Sequence, residues 1–457
     1  MKRSLVFFVA FVAACGLRAI PSPDGGSAGG AEAGGSAAGG SEAGGGEVAA
    51  GGGETAGGTS GTGGGGCSAP AHCVAPANAT PVCNAGICGF VCAPSHLKCG
   101  AGCCRPRTLS AGDRHTCATT DEGILLCWGG AFTLGNGTTS ASATPVMVQG
   151  FGDAGVAVVS AGSVHSCALT TGGAVKCWGA GPVGDGMSGF RSQATQAVGL
   201  EQGVTSLSLG GNHACVVADG GVKCWGFDSH GEQGCNQQCQ AMGPQQLLPG
   251  PASGLAYDVK QVTCGSAHCC ALLDDGGVRC WGFNIASECG DGTNVQRNVP
   301  VVAHAFDAGV DEVYGGWSVS CGREGTALRC IGTNGNGEQG VGTNQFARYA
   351  RQVLLGEGLT QVAASGIAQH LCAVVDGGVW CWGLNDRGQL GDGQMMSQNR
   401  PVRVLGLNEP MMAAAVGGQH SCALALSGAV WCWGSNNYGQ VGTGTIGGTL
   451  LQPQQVR

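Results

Sequence analysis

Six histidines recur along the chain, each shortly before a cysteine: His115, His165, His213, His268, His370 and His420. Imidazole is a common general base and metal ligand, so a ring of six would suit either kind of chemistry. Catalytic sites are asymmetric, whereas a residue present in every copy of a repeat usually serves the packing and hydrogen bonding of that copy. The fifth copy has Val319 at this place. We therefore predict structural histidines, with no catalytic residue, no metal site and no cofactor.

A second cysteine follows each of these segments after nine or ten residues, within Cys-Trp-Gly in six of the seven copies. Between Cys167 and Trp178, two short runs flank a Gly172-Gly173 pair, which predicts a β-hairpin. A step of this length across a turn places the two cysteines opposite each other, within disulfide reach. The predicted disulfides are Cys117–Cys127, Cys167–Cys177, Cys215–Cys224, Cys270–Cys280, Cys321–Cys330, Cys372–Cys381 and Cys422–Cys432.

The copies must be positioned by a repeating architecture, because they begin 48 to 55 residues apart and number seven. Each hairpin is followed by a Gly- and Asn-rich loop, a proline-led strand such as Pro401–Val404 and a small-residue strand such as Met412–Val416. Four strands per unit make a propeller blade. Large aromatic side chains carry about 150–250 Å² each, so we expect the repeated tryptophans to pack between blades: Trp128, Trp178, Trp225, Trp281, Trp382 and Trp433.

The pattern Gly-x-x-His-x-Cys-Ala-Leu, then Gly-x-Val-x-Cys-Trp-Gly-x-Asn-x-x-Gly-Gln-Leu-Gly, resembles the regulator of chromosome condensation repeat over all of the chain beyond residue 105. The resemblance implies an all-β, seven-bladed β-propeller spanning residues 105–457. In that family a terminal strand closes the ring by completing the first blade. The segment from Gln452 to Val456 resembles the proline-led strand that the first unit lacks, so we expect the C-terminal strand to close the ring in this way.

The N-terminus predicts export. Lys2 and Arg3 precede an apolar run too short to span a bilayer, which is typical of a secretory leader. The run ends in Val-Ala-Ala-Cys, which resembles a bacterial lipobox and implies lipidation of Cys15 after removal of the preceding residues. An ordinary signal peptide cleaved near Ala14 is the alternative. Because Gly16 is not the Asp that retains such lipoproteins at the inner membrane, the resemblance favours the outer membrane or cell surface, with the periplasm as the alternative.

Two segments separate residues 1–15 from the propeller. Residues 16–66 are nearly all Gly, Ala, Ser and Glu, so they predict a disordered linker that tethers the rest to the membrane. Residues 67–104 hold eight cysteines, a density typical of a small disulfide-rich module. Their 105 pairings stay open, and a metal site is the competing interpretation. The total of 28 cysteines also indicates an oxidising compartment.

Charge limits the partners. The chain has a formal net charge of −8 and only 11% charged residues, so it lacks the basic surface that nucleic acid requires. We therefore expect no nucleic acid, a membrane contact through the lipid anchor, and a monomer that binds an unknown protein or glycan outside the cell.

Differences between copies indicate where such a partner would bind. The stretch after the third hairpin is the longest, and cysteines outside the repeat pattern follow there, among them Cys235, Cys239, Cys264, Cys269 and Cys289. We expect a crosslinked loop at Cys235–Cys239 and, because the count without Cys15 is odd, at least one free thiol. Specificity on a symmetric scaffold needs asymmetry, so we predict binding by the loops of blades three to five, with plain sequence drift as the alternative. The residues chosen are Asp228, His230, Glu232, Gln237 and Gln238.

Three functions follow. The first is a surface-anchored binding protein, with inhibition of an extracellular enzyme as a variant. The second, implied by the family, is exchange of guanine nucleotide on a small GTPase, which an exported, acidic and disulfide-rich chain does not favour. The third is an enzyme acting at the axial mouth of the propeller. We expect binding rather than catalysis.

Overall fold

The computed structural model describes residues 67–85, 87–236, 245–306 and 309–457. Cys15, the leader, the linker, Gln237, Gln238 and Cys239 lie outside these ranges. Among the described residues, no helix has the length and apolar character needed to cross a bilayer.

The expected all-β, seven-bladed propeller is confirmed. Each blade is an antiparallel sheet of four consecutive strands. The strands of blades one to four are β5 Pro106–Ala111, β6 His115–Thr120, β7 Leu125–Gly129, β8 Ser142–Met147, β9 Val156–Ala161, β10 His165–Thr170, β11 Val175–Gly179, β12 Arg191–Gln196, β13 Val204–Leu209, β14 His213–Ala218, β15 Gly221–Phe227, β16 Gln245–Pro251, β17 Val259–Cys264, β18 His268–Leu273, β19 Val278–Gly282 and β20 Arg297–Val302. Those of blades five to seven are β21 Glu312–Gly316, β22 Val319–Glu324, β23 Ala327–Gly332, β24 Arg351–Gln352, β25 Leu359–Ala363, β26 His370–Val375, β27 Gly378–Gly383, β28 Gln398–Arg403, β29 Met411–Val416, β30 His420–Ala425, β31 Val430–Ser435 and β32 Thr449–Gln455.

The way the ring closes differs from the expectation. The C-terminal strand β32 pairs with β31 and forms the outer edge of the seventh blade, and the first blade is complete with its own β8. The expectation that the C-terminal strand completes the first blade was therefore wrong. The proline-led segments end the unit they follow, so residues 142–147 supply the fourth strand that the first unit had been expected to lack.

The hydrophobic core is divided among the seams between blades. Seven clusters of buried residues each combine side chains from two adjacent blades. The repeated tryptophans are completely buried, and each joins a cluster with the preceding blade; Trp178, for example, packs against Leu134 and Phe151 of blade one. The tryptophans thus hold neighbouring blades together.

The glycine of Cys-Trp-Gly is required by close backbone approach. At Gly179, φ is +102°, and a Cβ atom would lie 2.4 Å from the carbonyl oxygen of Val164. Gly383 has φ +101° and would meet the carbonyl of Gln369 at 2.5 Å. No other residue fits here, so this glycine fixes the end of the third strand against the residue preceding the histidine.

The seven hairpin cysteine pairs are disulfides in the structure, each directly opposite across the second and third strands. An eighth propeller disulfide, Cys264–Cys269, joins the first and second strands of blade four. Cys235 is also disulfide-bonded, and Cys289 is a buried free thiol. Cys289 occupies the position of Leu390 in the Gly-Gln-Leu-Gly loop and packs in the core between blades four and five.

The module before the propeller contains a short 3-10 helix, Pro70–His72, and two hairpins, β1 Ala79–Asn84 with β2 Ile87–Cys92 and β3 Leu97–Cys99 with β4 Gly102–Cys104. Its cysteines pair as Cys67–Cys83, Cys73–Cys88, Cys92–Cys103 and Cys99–Cys104. Leu97, Cys99 and Cys104 are buried in the cluster between blades seven and one. The second hairpin of the module is therefore part of the propeller core.

Candidate functional site

The histidine ring links successive blades. In four seams the imidazole Nε2 lies 2.7–2.9 Å from the hydroxyl of the residue that follows the histidine position in the next blade: His115 with Ser166, His268 with Ser320, His370 with Ser421 and His420 with Thr116. Ser320, Ser421 and Thr116 donate their own hydrogen to a loop carbonyl. Each hydroxyl has one hydrogen, so there the imidazole N–H donates and the hydroxyl accepts.

The other three seams differ from this pattern. In blade five Val319 replaces the histidine, and in blade six Leu371 replaces the residue with the hydroxyl. The two side chains belong to the same buried cluster. His165 faces blade three, where the corresponding residue is Ala214, and both its ring nitrogens are buried without a partner. His213 lies 3.0 Å from the sulfur of Cys269. The histidines thus serve contacts between copies, whereas the sequence had suggested contacts within each copy.

Burial keeps these imidazoles neutral. All six are 0–1% exposed. Loss of hydration lowers the pKa of His115, His268, His370 and His420 to about 3 and that of His165 and His213 to about 4. A side chain without solvent access cannot meet a substrate, so the geometry supports the structural role.

The loops between third and fourth strands share one internal scaffold. An Asn side-chain oxygen accepts the N–H five residues ahead at Asn284, Asn334, Asn385 and Asn436, over 2.8–3.1 Å. The amide nitrogen of the same residue donates to carbonyls on the far side of the loop, for example from Asn334 to Thr343 and Gln345. Blade three has Asp228 at this position, which accepts the N–H of Gln233 at 2.9 Å but has no amide hydrogen to donate.

A second scaffold position lies four residues later. In blades three to seven, Glu232, Glu288, Glu338, Gln389 and Gln440 each accept a backbone N–H two residues earlier. In four of the seams, the indole N–H of the tryptophan in the next blade donates a hydrogen bond to the backbone carbonyl of this residue. Burial raises the pKa of Glu288 to about 7. The side chain at this position thus holds the loop, while its backbone carbonyl binds the tryptophan in the seam with the next blade.

Of the predicted binding residues, two have internal roles. Asp228 and Glu232 hold the loop, and Glu232 is 4% exposed. His230 remains partly accessible, with its ring edge against Phe283 and its Nδ1 3.2 Å from Glu232. That hydrogen bond raises the pKa of His230. Among the predicted binding residues that the structure describes, His230 is thus the one that a partner could contact.

The surface that sequence reasoning missed is apolar. We define the loop face as the end of the propeller that carries the connections between first and second and between third and fourth strands. Each blade exposes a large apolar side chain there, in or next to its third-to-fourth-strand connection: Phe132, Met187, Phe227, Ile285, Val295, Phe346, Tyr349, Met395, Met396, Tyr438 and Ile446. Met396 is 71% and Tyr349 66% exposed.

Aromatic residues and Met are enriched in the centres of protein interfaces, so this face is suited to contact with another protein. The signal was present in the sequence, because residues 345–350 and 394–396 place Phe, Tyr and Met in loops that are otherwise rich in Gly and polar residues. The opposite end, the turn face, carries the hairpin turns and the connections between blades, with Tyr257 and Leu426 among its exposed residues.

Comparisons with known proteins confirm the resemblance to the family. Two family models described as regulator of chromosome condensation (RCC1) repeat match residues 376–424 and 427–457, and residues 107–131, 156–184, 259–290 and 413–440. The chain is 29% identical over 293 residues to the ultraviolet-B receptor UVR8 of Arabidopsis thaliana, covering 61% of this chain and 63% of that protein.

It is 28% identical over 342 residues to human E3 ubiquitin-protein ligase HERC2, covering 71% of this chain and 7% of the ligase. It is 29% identical to the secretion-regulating guanine nucleotide exchange factor of Bos taurus over 51% of each chain. The chain thus spans less than two thirds of each of these relatives. Human WBSCR16 has the same fold, with a TM-score of 0.59, 20% identity and coverage of 69% of this chain and 85% of that one.

Proposed function

We propose that this chain, a propeller that resembles the RCC1 repeat family, is a surface-anchored protein that binds another protein with its loop face. The observation that carries the proposal is the series of exposed aromatic, Met and Ile side chains on that face, in every blade. The similarity to a receptor, a ligase and an exchange factor supports a protein-interaction or regulatory role. The buried histidine ring favours binding over catalysis.

Location outside the cytosol is the second part of the proposal. Twelve disulfides join described cysteines in the module and the propeller, and such a number persists in oxidising compartments. Anchoring rests on Cys15 and the lipobox resemblance. The intact mass of the membrane-extracted chain should show two or three acyl chains on a product that begins at Cys15. Cys15→Ser should move the protein to the soluble fraction, while Cys289→Ser should not; an unprocessed chain with free thiols would contradict the proposal.

The loop face is tested by site-specific crosslinking on intact cells. A photoreactive residue is placed at Tyr349 or Met396 on the loop face, and at Tyr257 or Leu426 on the turn face as matched exposed controls. The proposal expects one shared crosslinked species from the loop-face positions and none of that mass from the turn face. Equal crosslinking from both faces, or crosslinking from the turn face alone, would contradict it.

Guanine nucleotide exchange is the second candidate, favoured by the similarity to an exchange factor. It predicts a chain in the cytosol with reduced cysteines that accelerates release of bound nucleotide from a small GTPase. The same intact-mass measurement separates the two candidates, since acylation and disulfides support binding outside the cell, and an unmodified reduced chain supports exchange. Ligase activity is not proposed, because the matched part is 7% of the ligase.

A further inference from the structure

The seam between blades three and four contains a cluster of sulfur atoms around a histidine. At the position of the usual hydroxyl stands Cys269, whose sulfur lies 3.0 Å from His213 Nε2. Cys269 is bonded to Cys264, directly opposite it on β17. The sulfur of Cys215, itself bonded to Cys224, lies 3.6 Å from that of Cys269. Two disulfides and one imidazole therefore meet at this seam, and all of these residues are completely or almost completely buried.

We propose that this cluster, when reduced, is a binding site for Zn²⁺, with His213 Nε2 and the thiolates of Cys215, Cys264 and Cys269 as its ligands. One imidazole and three thiolates are a standard ligand set for structural zinc. The proposal does not rest on the proposed function, because it concerns a different part of the molecule.

The distances suit a tetrahedral ion. The ligand atoms of His213, Cys264 and Cys269 all lie within 4.8 Å of one another. Bonds of about 2.3 Å to sulfur and about 2.0 Å to nitrogen give edges of roughly 3.5 Å between nitrogen and sulfur and roughly 3.8 Å between two sulfurs. The 3.6 Å between the sulfurs of Cys215 and Cys269 is close to the second value, and the 3.0 Å from His213 to Cys269 must lengthen to reach the first. Reduction removes both the Cys264–Cys269 and the Cys215–Cys224 bonds, which frees the three sulfurs to move to these distances.

The electrostatic surroundings also suit a cation. His213 is buried and its Nε2 lies 3.0 Å from the sulfur of Cys269, so this nitrogen faces the sulfur cluster, and a neutral imidazole nitrogen is a common metal ligand. The carboxylate of Glu232 acts on His213 in the direction that favours positive charge. Four other seams place a hydroxyl opposite the imidazole. A disulfide sulfur is a weaker hydrogen-bond partner than a hydroxyl, whereas a metal ion would bind the imidazole nitrogen directly.

The chemistry requires a reductant. A dithiol supplies two electrons and two protons to each disulfide and is itself oxidised, so that Cys264, Cys269, Cys215 and Cys224 become thiols. Binding of Zn²⁺ then releases the protons of the three ligating thiols, and Cys224 stays protonated. In an oxidising compartment the disulfides persist, so the site belongs to the chain before oxidation or after reduction.

The test counts zinc on the full chain, reduced with a dithiol under anaerobic conditions and mixed with Zn²⁺ alone, by native mass spectrometry. Because other reduced cysteines bind zinc as well, the readout is a difference between variants. Cys264→Ser with Cys269→Ser removes two thiols of the site; Cys321→Ser with Cys330→Ser removes two from a hairpin of blade five. His213→Ala and His370→Ala form a second matched pair.

We expect one zinc fewer after C264S/C269S and after H213A than in the parent chain, and the parent count after C321S/C330S and after H370A. Bound zinc should also slow alkylation of Cys269 by iodoacetamide in the parent chain. An unchanged count after C264S/C269S would overturn the proposal. An equal loss in both double variants would also overturn it, and this is the result expected if the reduced chain does not fold.

Discussion

At each seam of the propeller two side chains face each other: the one at the histidine position of one blade, and the one that follows this position in the next blade. Imidazole faces hydroxyl in four seams, and Val319 faces Leu371 in one. In both solutions the facing groups match, because the imidazole Nε2 has a hydroxyl partner and the apolar pair needs none. In the His165–Ala214 seam, by contrast, neither ring nitrogen of His165 has a partner, and the indole N–H of Trp225 in the same seam has none either.

Restoring the hydroxyl should therefore stabilise this seam. Ala214→Ser places a hydroxyl opposite His165, and we expect the free energy of unfolding to rise by about 0.5–1.5 kcal/mol, the net value of a hydrogen bond. The measurement is a guanidinium titration. Ala373→Ser is the matched control, because Ala373 is equally buried and faces no unpaired imidazole; there we expect a loss of about 1–3 kcal/mol. Equal losses in both variants would contradict the seam rule.

The same ring makes the fold sensitive to acid. Each histidine has a pKa near 6.5 when unfolded and about 3 to 4 when folded. Between these values the unfolded chain binds more protons, so stability present above pH 6.5 is lost as the pH falls, by up to about 1.4 kcal/mol per unit for each histidine. Glu288 acts oppositely between its unfolded value and about 7, but it is one group against six.

We expect the denaturant midpoint to begin to fall between pH 7.5 and pH 6.5, as the unfolded histidines start to take up protons, and to fall more steeply from pH 6.5 to pH 4.5. A variant with His370→Val and Ser421→Leu copies the apolar pair of blade five and removes one titrating group, so its slope should be lower by about a sixth. A midpoint that does not change with pH above 4.5 would show that the imidazoles are not kept neutral.

At the scale of elements, the hairpin was the part that the sequence specified most fully. The spacing of the cysteines and the Gly-Gly turn fixed both register and crosslink, because side chains in a strand alternate between faces and a turn of given length sets the pairing. The loop scaffold was not predicted. The Asn, Glu and Gln residues that hold it were visible as a repeated pattern, but their partners are backbone groups whose positions depend on the folded loop.

A hairpin disulfide should contribute to stability mainly by restricting the unfolded chain. Replacing Cys372 and Cys381 by Ala opens a loop with a sequence separation of 9, and we expect a loss of about 2–3 kcal/mol by the chain-entropy model. Cys289→Ala, which removes a sulfur of equal burial without a crosslink, should measure the part due to lost packing. If C289A costs as much as half of the double replacement, the crosslink itself contributes nothing.

For the whole molecule, the closure of the ring could not be read from the sequence. The strand that follows each unit can pair with the unit before it or after it, and only the three-dimensional register distinguishes the two. With β32 in blade seven, no segment among the described residues runs from one blade to the other across the seam between blades seven and one. This seam is the one that the module covers, because Leu97, Cys99 and Cys104 enter its core.

Polar contacts of the module, and of Arg105 directly after it, add to that cover. Arg105 donates to the carbonyls of Leu426 at 2.7 Å and Ser427 at 3.2 Å, in the hairpin turn of blade seven. Gln455, in the C-terminal strand, donates to the carbonyl of Pro94 in the module at 2.7 Å. We infer that the module holds blades seven and one together. In the arrangement expected from the sequence, the C-terminal strand would have done so by completing the first blade.

Removing these contacts should therefore loosen one seam more than the others. Arg105→Ala with Gln455→Ala is expected to accelerate amide hydrogen exchange in β5 and in β29 to β32, while β17 to β20 keep their protection. Lys176→Ala is the control, since it removes an exposed contact of similar length, to Gly150 at 2.7 Å, from the seam between blades one and two. There the chain itself crosses the seam, so exchange should change only beside Lys176. If the two variants alter exchange equally, or if R105A/Q455A leaves β5 and β32 protected, the ring closes without help from the module.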